Sequence, residues 1–171
     1  MKNGILSFCL MALLVAPAMA MDITPVQLGI WGPNIQLVSE QTKVVGLRLN
    51  VAMSDNKEVM GVDFGLVSRA GRMDAIQLNL ANFVDTDFNG LTFGVFNQMG
   101  SVSGVQGGLF NNVAHDMNGF QLGLFNVADD VSGIQFGLIN RTMSMRGIQI
   151  GLVNLIEEGP ITFFPILNAA F

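Results

Sequence analysis

The chain has 171 residues, 50% of them hydrophobic and only 12% charged, with one cysteine, one histidine and no tyrosine. Its formal charge is −5, and no basic cluster exists that would hold a nucleic acid. No stretch beyond the N-terminus approaches the ~18 uninterrupted apolar residues of a membrane-spanning helix, so its greasiness must be dispersed over another kind of structure.

The first twenty residues read as a secretory signal peptide. Lys2 begins it, residues 5–16 form the apolar run, and Ala18-Met19-Ala20 offers a small-residue cleavage site. The apolar run is too short to span a bilayer. Cys9 lies inside it behind the bulky Phe8, which does not suit a lipid-attachment site. Cleavage would leave residues 21–171 as a single β-repeat domain. Losing Lys2 leaves 7 bases against 13 acids, a net charge of −6. Such a product has no cysteine, hence no disulfide and no thiolate metal site.

The rest of the chain repeats. GVQGGLFN starts at Gly104, GFQLGLFN at Gly119, GIQFGLIN at Gly133 and GIQIGLVN at Gly147, with GLTFGVFN at Gly90 beside them. Looser copies start at Gly46, Gly61 and Ala75; PVQLGIWG at Pro25 reads as a first copy and ITFFPILN at Ile161 as a last. From Gly46 the starts lie 14 or 15 residues apart. Each unit alternates large apolar residues with small or polar ones at period 2, the signature of a strand. Asn-Gly and Ser-Gly pairs between units tolerate the positive φ of tight turns, and nearly all the acids sit in these connections. In the unit from Gly133, Ile134, Phe136 and Leu138 share one face; Gly133, Gln135, Gly137 and Ile139 share the other.

Two all-β arrangements satisfy this pattern. An antiparallel up-and-down meander closing into a barrel of about ten strands would set Gly opposite Phe or Ile, and the 15/14 alternation would reflect two kinds of turn. The even unit count suits an outer-membrane barrel, though strands of about nine residues reach only the low end of its ~25 Å apolar band. A parallel β-solenoid would instead stack the asparagines and glutamines into ladders. The face of Gly133, Gln135, Gly137 and Ile139 would then become a dry interior, with Phe96, Phe110 and Phe125 left outside. The expectation adopted is the meander, with the solenoid as its alternative.

The G-x-Q-x-G-L-x-N units resemble a group of bacterial surface-repeat proteins in which tandem copies of this motif follow a signal peptide. The likeness covers residues 46 to 154. It implies an envelope location and a β-repeat fold, and it carries over no catalytic or ligand residue. The terminal alternation through Ile161, Phe163, Pro165, Leu167, Ala169 and Phe171 also resembles the C-terminal signal of Gram-negative outer-membrane β-barrels. Pro165 departs from that pattern because it donates no ladder hydrogen bond.

Chemistry-bearing residues are few. Asp85, Asp87 and Asn89 echo the opening of a calcium loop, but Phe96 stands where the loop needs a bidentate Glu. His115 lies in a turn beside Asp116, and a meander would place Ser101 and Ser103 at the opposite end from it. Asp129-Asp130 and Glu157-Glu158 read as solvated turns. The expectation is therefore no enzyme, no cofactor, no metal and no small-molecule substrate. The chain is read as an exported outer-membrane or cell-surface protein with a structural or surface-interaction role. Its partners would be membrane lipid, envelope proteins or a second copy of itself; a soluble periplasmic or secreted binding module is the alternative.

Overall fold

A computed structural model describes residues 22–171; the proposed signal peptide lies outside them. The protein is a β-solenoid. Its strands are β1 (Ile23–Trp31), β2 (Ile35–Gln36), β3 (Lys43–Phe93), β4 (Phe96–Gly107), β5 (Phe110–Leu122), β6 (Phe125–Phe136), β7 (Ile139–Ile156) and β8 (Phe163–Ala170). They form one sheet in the order β2-β1-β3-β4-β5-β6-β7-β8, with every step from β1 through β7 parallel. The stack makes about five turns between named strands. The 51-residue β3 itself winds through the coils that start at Gly46, Gly61 and Ala75.

This overturns the meander and barrel. Equivalent residues of successive units lie side by side: Asn97 beside Asn111, Asn126 and Asn140, and Gln106 beside Gln121, Gln135 and Gln149. Gly never faces Phe across a hairpin. The 15/14 alternation has a different cause as well. Two residues separate Met99 from Val102, three separate Val113 from Met117, and the pairing shifts at that point alone. The extra residue is absorbed in one outer turn, as a bulge, while the rest of each coil keeps register.

The last unit departs too. β8 runs antiparallel along β7, pairing Ala170 with Gly147 and Leu167 with Ile150. It is a cap that covers the final coil's open edge, as a solenoid end requires. The pairing skips between Gly151 and Asn154, opposite Pro165, and Ile166 follows at φ +73°, a strained conformation for a β-branched residue.

What turns inward is unusual. The core proper is a narrow double column, with Val84, Met99 and Val113 on one side and Val102, Met117 and Val131 on the other. Beside it the interior is amide. Asn82, Asn97, Asn111, Asn126, Asn140 and Asn154 form a continuous ladder, each Nδ2 donating to the next coil's Oδ1 at 2.7–2.9 Å. The same Nδ2 groups clamp the following corner: Asn111 donates to Leu122 O and Asn126 to Phe136 O, both at 2.9 Å. The glutamines form a second ladder of opposite polarity, since Gln121, Gln135 and Gln149 each donate to the preceding coil. Parallel stacking of identical amides lets each satisfy its neighbour, which is the condition for burying them at all.

Glycine is dictated by the same stacking. Gly133 sits at φ +145°, with the Gly119 carbonyl where its side chain would be. Gly137 marks a corner whose inner side is filled: an added Cβ would lie 2.5 Å from Gly123 O and 2.6 Å from Asn126 Nδ2.

Candidate docking surface

With the amides inside, the apolar alternation points out. Numbering each unit from its glycine, positions 2, 4 and 6 face solvent in coil after coil. Leu122, Phe136 and Leu138 are 41%, 47% and 46% exposed. Position 7 adds a fourth row, in which Phe110 and Phe125 stack with ring centroids 5.1 Å apart and planes 4° apart. The corner glycines of position 5 leave a trough between rows 4 and 6. It has a volume of about 720 Å³, walls such as Phe93, Leu109, Leu122 and Phe136, and Ile166 of the cap at one end.

Two properties set this surface apart from ordinary exposed leucines. The first is charge segregation. From Gly46 to Asn154 the first eight positions of the repeats hold only two charged residues, Arg48 and Asp63, and both are fully buried. Every exposed charge in that span lies at positions 9–14, on the turn side. The second is that the trough's corner N–H groups are already paired. The amides of Gly94, Gly108, Gly123 and Gly137 donate across to the next coil at 2.9–3.0 Å. The surface can exclude water from a complementary apolar face, and it can do little else. A contiguous apolar patch of this kind exceeds what a soluble monomer ordinarily leaves uncovered.

The buried charges form a single site. Arg48 and Asp63 occupy position 3 of adjacent coils, where later coils carry glutamine except for Thr92. Arg48 Nε donates to Asp63 Oδ1 at 2.7 Å, and its other nitrogens reach Ser68 Oγ, Arg69 O and Asn56 Oδ1. Asp63 also accepts from Asn50, Asn79 and Gln77. Burial alone would raise its pKa; the Arg48 charge and the hydrogen bonds outweigh that and hold it below the usual carboxylate value. Sequence reading passed over this pair because nothing in a lone Arg and a lone Asp, 15 residues apart, signals contact until coils are known to stack in parallel.

The residues singled out from sequence do not converge. Asp85 is exposed and pairs with Arg69 at 3.4 Å, while Asn89 donates to Asp74 at 2.7 Å, with buried Phe88 between them; Asp87 is exposed. Among the described residues no group of three or more His, Cys, Asp or Glu is placed to hold a metal ion. His115 is exposed in an outer turn. The solenoid stacks that turn on the one containing Ser101, so the two share an edge and are not at opposite ends; no hydrogen bond joins His115 to Ser101 or Ser103. Glu157 pairs with Arg141 at 2.6 Å, and Asp130 accepts from Ser144. No protein family, curated protein or solved structure matches the chain.

Proposed function

We propose that this protein is an exported cell-envelope module with a structural, surface-interaction role and no catalytic step, located at the outer membrane or cell surface, where its charge-free face docks on a partner. The observation that carries this reading is the segregation itself: rows 2, 4 and 6 are apolar and exposed through successive coils, and the charges are confined to the opposite side. The signal-peptide pattern and the resemblance to bacterial surface-repeat proteins support export and an envelope location. A lone solenoid gains nothing from exposing so much apolar area to water, whereas docking removes it at roughly 25 cal/mol per Å².

Cell fractionation tests the reading. The expected result is that the processed chain sediments with the envelope, resists salt and osmotic shock, and is released by detergent. Full release by osmotic shock would refute envelope attachment. It would leave the second reading, a soluble periplasmic or secreted β-solenoid that binds a partner. One observation favours that alternative: the corner N–H groups along the trough are paired internally and β8 pairs along the last coil, so neither needs a bilayer to complete it.

A further inference from the structure

We infer that the partner of the charge-free face is a second copy of this chain, docked face to face about a two-fold axis; the inference rests on the docking reading above. Area is the first argument. Broken only at Gly107 in row 4, the rows run from Val26 on β1 to Leu167 on β8, because Val26 pairs with Leu47 at one end and Leu167 with Ile150 at the other. Nine inter-rung steps of ~4.8 Å make the face about 43 Å long, and positions 2 to 6 make it about 15 Å wide. That is roughly 650 Å² per copy and about 1,300 Å² in the pair, within the ~1,200–2,000 Å² of specific interfaces.

Shape is the second argument. From Leu122 to Ile150 row 4 is a ridge that also carries Phe136, and the glycine corners from Gly94 to Gly151 form a trough beside it. A two-fold operation lays each copy's ridge in the other's trough, the self-complementarity an isologous interface needs. Charge is the third. Acids outnumber bases 13 to 7 once Lys2 is removed, so an anionic bilayer would repel the chain. A face-to-face pair instead puts both acidic turn sides outward, at their greatest separation. An extended peptide fits less well, since the trough's corner N–H groups are already paired and would leave the peptide's carbonyls without donors.

The test is the mass of the processed chain from Met21 by sedimentation velocity in detergent-free buffer. A dimer is expected at about 100 µM, and Leu122→Glu and Phe136→Glu are each expected to give monomers that keep the β circular-dichroism spectrum. Ser132→Glu, on the turn side, should leave the dimer intact. The processed chain lacks cysteine, so Leu109→Cys, near the middle of the face, should cross-link to its own copy with a short bis-maleimide. A monomer at that concentration, or a dimer indifferent to both glutamates and silent to cross-linking, overturns the inference. If the monomer still floats with phosphatidylethanolamine–phosphatidylglycerol vesicles, lipid is the occupant and docking survives; if it neither pairs nor floats, both fail.

Discussion

Replacing Asp63 by Asn isolates the most consequential buried interaction. The substitution keeps the shape and removes the charge that balances Arg48, both side chains being fully excluded from solvent. It also sets a new amide among the donors of Arg48, Asn50, Gln77 and Asn79, which now converge on a carboxylate. Removing one partner of a buried ion pair costs about 3–5 kcal/mol, and for a domain of this size each kcal/mol moves Tm by about 2–4 °C, so a fall of roughly 10 °C is expected. The double variant Arg48→Gln/Asp63→Gln should recover most of it, within about 2 kcal/mol of the parent. It carries the glutamine of position 3 through both coils, joining Gln27 to Gln77. Thermal and urea unfolding followed by circular dichroism would measure both. A single variant as stable as the parent, or a double variant no better than the single, would refute the reasoning. Acid should act in the same sense. The Asp63 pKa is depressed on folding, so its contribution is present above the unfolded value near ~4 and is lost as pH falls through the lower folded value; the gap between parent and double variant therefore narrows at low pH.

Three further changes have definite expected outcomes. Thr92 interrupts the glutamine ladder and leaves Gln106 Nε2 buried without a partner, so Thr92→Gln should raise stability by about 1 kcal/mol in urea unfolding. Gly137→Ala drives a methyl group into Gly123 O and two ladder asparagines and should cost about 3 kcal/mol or more, visible as a fall in Tm. Desolvation raises the Asp55 pKa more than Arg69 lowers it, with Glu40 and Asp85 adding to the rise. Asp55→Asn should therefore stabilise the fold at pH 7, where the native carboxylate is charged at a disadvantage. The gain should vanish below the carboxylate range, as a stability–pH profile would show.

The repeat, its strand character and its punctuation were all legible in the sequence, because period-2 alternation and Asn-Gly turns are local properties. Strand direction was not. A unit with Gly at positions 1 and 5 and Phe at position 7 makes good large-small pairs when antiparallel, and good ladders when parallel. Only the pairing of Asn82 through Asn154 over 14–15 residues decides between them. The alternation alone did not choose between the two arrangements, although the solenoid alternative set the glutamine face inward, where Gln106, Gln121, Gln135 and Gln149 lie. Hydrophobic burial favours Ile134, Phe136 and Leu138, yet a coil this short closes around a space suited to side chains of one size that can satisfy one another in a row. Gln and Asn meet that condition, and the apolar face is displaced outward. The docking surface was therefore written in the sequence as its most regular feature, and the solenoid alternative already left Phe96, Phe110 and Phe125 of it outside.

A chain of near-identical coils faces a problem that its ladders do not solve. Asn stacks on Asn whether the units pair in sequence or slip by one, so the ladders stabilise wrong registers almost as well as the right one. The turn with the extra residue at Ala114-His115-Asp116 discriminates weakly, because a mismatched outer turn merely bulges into solvent. Arg48 and Asp63 discriminate strongly: they occur once, in adjacent coils, and a slip leaves each buried beside an amide at a cost of several kcal/mol. The pair then serves register more than stability, and the two roles separate in Arg48→Gln/Asp63→Gln. That variant should match the parent closely in equilibrium unfolding yet refold from denaturant into more than one species, seen as a broadened or split second unfolding transition. The parent should refold to a single sharp one. Equal refolding fidelity in the two would show that the coils find their register without the charges.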